Sequence, residues 1–341
     1  MKSRSWRVFQ GAAVASVLAG SSLALAGGVA PVAGAAASHK YTVGFVVGAE
    51  ADPFFQSMYV GAAAEAKKLG VNLVWQGDPV DYSPSTQIPV VEQVLGLKPN
   101  ALVIAPTDTK ALNPYIASAV KQGIKVLNVD SGSSYQKNIT SWVTGNNSQG
   151  GKSAADALAQ AMNYAKSCTA AKPCNVAIGV SSLTTSTDAA RVAGFKAEIK
   201  AKFPHITMLN DVVSQSQPSV AQSAFAQDIS AHKLAGIFAV DGTDAEGATA
   251  AVKASGSSGA NIKIVGYDAY AANIQSMVAG GQGSLSAIIS QQPTLEGQLI
   301  MEYAVKALQG KPVPHLQMLA NITLTPKTAK SILAKYQYVA S

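Results

Sequence analysis

The chain has 341 residues and a net charge of +7, with 48% hydrophobic and only 13% charged residues. This composition excludes a largely disordered chain, and the scattered lysines and arginines exclude the basic patch that nucleic-acid binding requires. A chain of this length suggests two domains of ordinary size.

The first 37 residues have the pattern of a secretory signal peptide. Three basic residues precede an apolar stretch that ends near Ala26, and small-residue cleavage sites end at Ala26 and Ala37. Glycines and serines interrupt the stretch, which leaves it shorter than the ~20 apolar residues of a membrane span. We expect cleavage after Ala26 or Ala37, a periplasmic mature chain, and a mature net charge of +4, because the segment contains three basic and no acidic residues.

From Tyr41 onward, short β-branched runs alternate with amphipathic stretches rich in small residues. We predict ten strands: Tyr41–Gly48, Asn72–Gln76, Ala101–Pro106, Lys125–Asp130, Ser141–Asn146, Asn175–Ser181, Ile206–Val213, Gly236–Asp241, Ile262–Asp268 and Leu285–Gln291. Helices are predicted between most of them, including Phe54–Leu69, Asn113–Lys121, Lys152–Ala165, Asp188–Ala201 and Ala245–Lys253. This alternation predicts an α/β fold with parallel sheets covered on both faces. Ten strands exceed one compact domain, so we expect two doubly wound lobes, the first ending near residues 142–146.

Cys168 and Cys174 are the only cysteines. In an oxidising compartment so close a pair is expected to form a disulfide, which would pin the turn between a helix and a strand. Two free thiols remain the alternative. A zinc site is disfavoured because no neighbouring histidine supplies further ligands.

Four predicted strands end in a polar side chain: Asp130, Asp241, Asp268 and Gln291. Ligands of open parallel sheets bind at the carboxyl edge of the strands, so these residues are candidates for one shared cleft. Each of the aspartates could instead cap the helix that follows it.

Other chemical motifs are weaker. Residues 145–153, GNNSQGGKS, approach a phosphate-binding loop, but the first required glycine falls on Asn146, and we interpret the stretch as a hinge and a helix start. No G-x-S-x-G or G-x-G-x-x-G motif supports a hydrolase or a dinucleotide site. A pair of acids for glycoside cleavage remains open, since the aspartates could converge.

Several motifs together resemble the ribose/galactose-type periplasmic solute-binding proteins. They follow one another in that family's order: GFVVGAEADPFF at 44–55, APTD at 105–108, VD at 129–130, NxxxGG at 146–151, RxxGF at 191–195, FAVD at 238–241, VGYD at 265–268 and SQQP at 290–293. The resemblance implies a type I periplasmic binding protein fold, with two Rossmann-like lobes joined by three hinge crossings. The expected boundaries are 1–37 for the signal peptide, 40–144 plus 292–321 for the N-terminal lobe, and 145–291 plus 322–341 for the C-terminal lobe.

The resemblance also implies which side chains contact the ligand. Carried over residue by residue, they are Asp52, Phe54, Phe55, Asp130, Ser131, Arg191, Asp241, Tyr267, Asp268 and Gln291. Carboxylates, a guanidinium and an amide suit adjacent hydroxyls, and aromatic faces suit the C–H surface of a sugar ring. Phe54 and Phe55 are consecutive, so one is expected to face the ligand while the other packs inside the lobe.

Three positions depart from the ribose binders of this family. Those proteins usually carry an arginine where this chain has Ser131, and commonly an asparagine where it has Asp52 and Asp241. Four carboxylates would then face one arginine, and unpaired buried carboxylates are costly. We therefore expect a donor-rich ligand, such as a polyol, a pentose or hexose variant or a sugar with a cationic substituent, rather than ribose.

The function that follows is capture of a monosaccharide or polyol by closure of the two lobes, for delivery to an inner-membrane ABC permease. No catalysis, cofactor, metal or nucleic acid is expected, and the protein is expected to be a monomer. An autoinducer-like or chemotactic signal-binding protein of the same fold is the alternative, and an exported enzyme is the more distant one.

Overall fold

The structure is a computed structural model that describes residues 40–329, Ser331 and Tyr338. The expected signal peptide and both cleavage sites lie outside the described residues. Within the described part, no helix combines the length and the apolar character needed to cross a membrane.

Twelve strands form in the described chain. They are β1 (Thr42–Ala49), β2 (Asn72–Asp78), β3 (Ala101–Ile104), β4 (Lys125–Val129), β5 (Ser141–Gly145), β6 (Cys174–Val180), β7 (Ile206–Val213), β8 (Leu234–Ala239), β9 (Lys263–Tyr267), β10 (Leu285–Ser290), β11 (Leu316–Leu319) and β12 (Ile322–Leu324). The ten predicted strands are all present, with ends that differ by one or two residues. The prediction missed β11 and β12.

Ten helices accompany the strands in this part of the chain. They are α1 (Pro53–Leu69), α2 (Pro84–Gly96), α3 (Asn113–Lys121), α4 (Asn147–Ala161), α5 (Tyr164–Ser167), α6 (Ser186–Lys202), α7 (Pro218–Ala231), α8 (Gly242–Ala254), α9 (Ala271–Ala279) and α10 (Pro293–Leu308). The predicted helix at 152–165 is in fact two helices. Helix α4 starts five residues earlier than predicted, where the Asn146 side chain accepts a hydrogen bond from the Gln149 backbone N–H.

The strands make two six-stranded sheets, and each sheet is the centre of one lobe. Their strand orders are β11-β5-β4-β3-β1-β2 and β12-β10-β9-β8-β6-β7. Neighbouring strands are parallel except β10 and β12. The two-lobed α/β fold predicted from the sequence is confirmed, while the residue-level domain boundaries stay a prediction.

The chain crosses between the lobes three times. Strand β5 belongs to the first sheet, whereas α4 packs on β9 and β10 of the second. Strand β10 belongs to the second sheet, whereas α10 packs on β4 and β5 of the first. The third crossing joins β11 to β12. Residues 145–147, 290–293 and 319–322 therefore form the hinge.

Local sequence signals place the helix that opens the first lobe. The Asp52 carboxylate accepts a hydrogen bond from the Phe54 backbone N–H at 2.8 Å, and Pro53 takes the first helical position, where no N–H is needed. Gly70 ends α1 with a left-handed backbone, φ 64°. The D-P-F-F segment thus fixes where α1 begins, and with it the positions of Phe54 and Phe55 in the first turn of the helix.

Each lobe has an apolar interior on both faces of its sheet. The central strand β3 is buried throughout, and β1 is buried except at its first residue, which agrees with a sheet covered on both sides. In the second lobe the fully buried rings of Phe195 and Phe238 stack at 4.5 Å. A disulfide joins Cys168 to Cys174 at the start of β6.

Candidate functional site

The carboxyl ends of strands from both sheets face each other across a cleft. The space between them measures about 400 Å³, counting the part open to solvent. Its walls are formed by Asp52, Phe54, Phe55, Tyr82, Asp130, Ser181, Thr187, Asp188, Arg191, Ser216, Asp241, Asp268, Tyr270 and Gln291. The strand ends therefore do meet at one cleft.

Eight of the ten side chains predicted to contact a ligand line this cavity. The other two, Ser131 and Tyr267, lie behind its wall. Ser131 is fully buried and donates its hydroxyl hydrogen bond to the Pro106 carbonyl at 2.7 Å. Tyr267 is fully buried too, and its hydroxyl lies 2.7 Å from the Asn321 amide.

Both phenylalanines of the D-P-F-F segment line the cavity, although only one was expected to do so. Their rings meet edge to face at 5.2 Å. Phe55 stacks on Tyr82 at 6.3 Å, and Phe54 meets the edge of Tyr338 at 5.8 Å. A second aromatic ring backs each of them, so together they form one aromatic wall.

Arg191 is the cation of the cavity, and the protein fixes its orientation on three sides. Its Nε donates to the Asn147 side-chain oxygen at 2.8 Å, and its Nη1 donates to the Val240 carbonyl at 3.1 Å. The guanidinium lies over the Tyr267 ring, 4.1 Å from the ring centre. Tyr267 thus supports Arg191 from behind.

Asp130 and Asp268 occupy equivalent places in the two lobes. Each directly follows a strand and adopts a left-handed backbone, with φ 54° for Asp130 and φ 65° for Asp268. The backbone N–H of each donates a hydrogen bond to a carbonyl of the neighbouring strand in its sheet. Such a backbone is costly for a residue other than glycine, and it is typical of functional sites. It turns each carboxylate from the sheet edge into the cavity.

Asp52 and Asp241 begin the helices α1 and α8 from opposite sides of the cleft. Asp241 accepts hydrogen bonds from the Asp244 backbone N–H at 2.8 Å, from the Thr243 hydroxyl at 2.7 Å and from the Ser181 hydroxyl. Asp52 accepts a bond from the Tyr270 hydroxyl of the other lobe at 2.5 Å. Asp52 and Asp241 therefore both cap a helix and line the cavity.

Six lining residues were not predicted: Tyr82, Ser181, Thr187, Asp188, Ser216 and Tyr270. Ser181 directly follows β6, whereas the other five lie in loops or at helix starts, away from the strand ends. Asp188 could have been predicted from the sequence, since it precedes Arg191 by three residues on one helix and could pair with it. Their charged atoms lie 3.7 Å apart.

Burial raises the pKa of four cavity carboxyls, those of Asp52, Asp130, Asp188 and Asp268. It is the main cause that raises the pKa of Asp52 to about 7, with the Tyr270 hydrogen bond opposing it. Burial likewise raises the pKa of Asp130 to about 7 and that of Asp188 to about 8, although Arg191 opposes the shift in both. The pKa of Asp268 is raised for the same reason. In the described chain, these acids do not form a group that could hold a metal ion.

The chain was compared with known families, proteins and structures. Residues 43–312 match the model of the periplasmic binding protein domain family. The ribose import binding protein of Haemophilus influenzae is 30% identical over 286 residues, which cover 81% of this chain and 89% of that protein. The D-ribose/D-allose-binding protein of Pseudomonas aeruginosa is 30% identical over 284 residues, covering 81% and 85%.

Solved structures agree with these matches. An ABC transporter solute-binding protein from Agrobacterium vitis, solved with α-D-tagatopyranose, superposes with a TM-score of 0.81 at 27% identity, covering 88% of this chain and 100% of that one. A carbohydrate transporter solute-binding protein from Agrobacterium radiobacter, in complex with D-arabinose, superposes with a TM-score of 0.77 at 25% identity, covering 85% and 96%. The chain therefore belongs to the periplasmic binding proteins, and to the ribose/galactose type that its motifs predicted.

Proposed function

We propose that this protein is the sugar-binding component of an ABC importer, which captures one monosaccharide-sized ligand between its lobes. The relatives carry names of ribose, allose, tagatose and arabinose binders, and none of these names describes a signal receptor or an enzyme. The observation that carries the proposal is the cavity itself. It combines an aromatic wall with carboxylates, a guanidinium and an amide, which together match the C–H face and the hydroxyls of a sugar.

The capture mechanism is closure of the lobes around the ligand. The structure has the lobes in contact through hydrogen bonds from the loop before α6: the Thr185 hydroxyl donates to the Thr107 carbonyl at 2.8 Å, and the Gly132 N–H donates to the Ser186 hydroxyl at 2.7 Å. The Tyr270–Asp52 bond adds a third contact beside the cavity. A ligand that bridges both walls stabilises this closed arrangement, which the permease would then recognise.

The proposed function also includes the compartment of the protein and its partner. The first 37 residues carry the signal-peptide pattern, and the family acts outside the inner membrane, so we assign the mature protein to the periplasm. An inner-membrane ABC permease is its partner, and the protein acts as a monomer.

A thermal-shift screen of the mature protein against aldoses, ketoses and polyols tests the function. A ligand that binds only the folded state raises the unfolding midpoint. At a free ligand concentration of a hundred times Kd, it stabilises the folded state by about 2.7 kcal/mol. Positive hits are then measured by calorimetry and recovered after denaturation of the protein. An unchanged ligand supports a binding protein, whereas a converted one points to an enzyme, and a screen without any hit contradicts the proposal.

A further inference from the structure

The charges around the cavity do not balance. Five carboxylates line it, those of Asp52, Asp130, Asp188, Asp241 and Asp268, and Arg191 is the cation among the lining residues. Arg191 lies 3.7 Å from Asp188 and 4.0 Å from Asp268. Among residues 40–329, no lysine, arginine or histidine nitrogen lies within 4.0 Å of an oxygen of the other three carboxylates.

Two of these three carboxylates only accept hydrogen bonds in the structure. Asp52 accepts bonds from the Phe54 N–H and the Tyr270 hydroxyl, and Asp241 accepts three. The Ser216 hydroxyl donates to Ser181, which leaves the Ser181 proton for Asp241. A carboxyl group that only accepts hydrogen bonds is stabilised in its charged form. Across the cleft, Asp241 adds to the burial that raises the pKa of Asp52, so a cation between the two groups would stabilise the charged form of Asp52.

Asp130 supplies an independent sign that a ligand atom is expected in the cavity. It is 5% exposed and lines the cavity, and its Oδ1 has no hydrogen-bond partner. In its charged form this oxygen accepts, so the ligand is expected to bring a donor to Asp130.

We propose that the ligand is a cationic sugar or polyol, with an ammonium group that lies between Asp52 and Asp241 and hydroxyls that bind Asp130, Gln291 and Arg191. This inference rests on the proposed function and narrows its ligand class. An ammonium offers three donors and one positive charge, which supplies what the Asp52–Asp241 end lacks. The side of the cavity where Arg191 lies within 4.0 Å of Asp188 and Asp268 suits neutral hydroxyls.

Calorimetry at about pH 7 with matched probe sets tests the inference. Each set contains an aminodeoxy hexose or an aminodeoxy alditol, its neutral parent and its N-acetylated form. We expect the best cationic probe to bind at least about tenfold tighter than its neutral parent, because close charge pairs contribute more than the ~1.4 kcal/mol that a factor of ten represents. The N-acetylated form keeps the nitrogen but loses the charge, and it should bind no better than the parent.

Two isosteric variants locate the effect. Asp52→Asn and Asp241→Asn keep the oxygen that caps α1 or α8 and remove the charge, and in Asp241→Asn the amide nitrogen also replaces the oxygen that accepts from the Ser181 hydroxyl. Each should reduce the cationic preference, which is the affinity for the cationic probe relative to its neutral parent, by about tenfold. Asp81→Asn removes an exposed charge at the outer mouth of the cleft, and this control should leave the preference unchanged.

Each outcome separates the two proposals. Neutral sugars that bind as tightly as their amino counterparts throughout the panel overturn the cationic ligand but support the sugar-binding function. A preference that survives in both Asn variants also overturns the placement of the ammonium. If no member of the panel binds, the sugar-binding function fails, and the cationic inference fails with it.

Discussion

At the scale of single residues, Arg191 organises the cavity. Two of its nitrogens are committed to Asn147 and Val240, so its remaining N–H groups are directed by the protein before any ligand arrives. Tyr267 supports the guanidinium face, which explains why this tyrosine can matter without lining the cavity. A prepositioned donor loses less conformational entropy when the ligand binds.

Arg191→Ala is expected to weaken ligand binding by about 2–4 kcal/mol, because it removes charged donors and leaves Asp188 and Asp268 without their cation. Calorimetry with the best probe of the sugar screen measures the loss. The unfolding midpoint without ligand shows whether the variant still folds.

Two further substitutions test whether the loss of binding is specific to the Arg191 guanidinium. Lys196→Ala, on the same helix, removes a half-exposed lysine that pairs with Asp211 at 2.7 Å, and it should leave binding unchanged. Arg191→Lys retains a charge but loses the planar fork, and it should bind with intermediate affinity. Equal affinity of wild type and Arg191→Ala would remove Arg191 from the ligand site.

How far the sequence predicts the cavity depends on where each residue stands in the fold. Strand ends are recognisable in a sequence, and the parallel-sheet rule brought Asp130, Asp241 and Asp268 to one place. Tyr82 and Tyr270 reach the cavity from loops, and loop paths are set by packing that no local pattern encodes.

At the scale of elements, each lobe contains a pair of helices in backbone contact through glycines. A Cβ at Gly61 of α1 would clash with the Thr294 carbonyl at the start of α10, and one at Gly297 of α10 would clash with the Met58 carbonyl of α1. Helices α4 and α6 repeat this reciprocal contact. The close approach couples each hinge-adjacent helix to the helix that carries site residues.

This packing explains the glycines of the motif at 145–153. A side chain at Gly151 would clash with the Arg191 carbonyl, and one at Gly150 would clash with the Tyr267 hydroxyl. Both glycines are therefore required by close contact with the residues behind the cavity. That requirement accounts for the resemblance to a phosphate-binding loop without any phosphate.

Gly151→Ala is expected to lower the free energy of unfolding by about 1–3 kcal/mol, because the overpacked methyl group must push α4 away from α6. It should also weaken ligand binding, since Arg191 moves with α6. Chemical denaturation and calorimetry measure the two effects.

Gly96→Ala provides the matched control. Gly96 is the last residue of α2, its backbone is not left-handed, and an added Cβ would touch nothing within 4 Å. Alanine there should be neutral or stabilise the protein by about 0.4–1 kcal/mol. Similar destabilisation by both substitutions would contradict the packing explanation.

Sequence periodicity was sufficient to predict the first ten strands but not the short strands β11 and β12. Eight of the ten predicted strands are largely buried, and the edge strands β2 and β7 have seven and eight residues, whereas β11 and β12 have four and three residues and are only partly buried. Their pairing with β5 and β10 comes from the third hinge crossing, which is a tertiary feature. Strands this short carry too little of the two-residue period to be recognised.

At the scale of the whole molecule, closure concentrates negative charge. Asp52 and Asp130 belong to the first lobe, whereas Asp188, Asp241 and Asp268 belong to the second. In the closed form all five face one small space, and burial raises the pKa of four of them. Opening the cleft returns these groups to water, where their pKa values fall toward about 4.

The ligand-free protein is therefore expected to open as the pH rises. Between pH ~4 and the raised pKa values of about 7 for Asp52 and Asp130 and about 8 for Asp188, the closed form binds more protons than the open form. Closure is consequently favoured at low pH, and this advantage is lost as the pH rises through 7 to 8. Small-angle scattering at about pH 5.5 and pH 8 should show a larger radius of gyration at the higher pH.

The variant Asp130→Asn removes one of the titrating groups from a position that is 5% exposed, and it should make the pH dependence shallower. Asp81→Asn changes an exposed carboxylate outside the cavity and should leave the dependence as it is. A radius of gyration that stays constant, or that grows toward low pH, would show that burial of these carboxyls does not oppose closure. A cationic ligand should reverse the trend, because it stabilises the charged carboxylates and closes the cleft at pH 8 while it releases protons from Asp52.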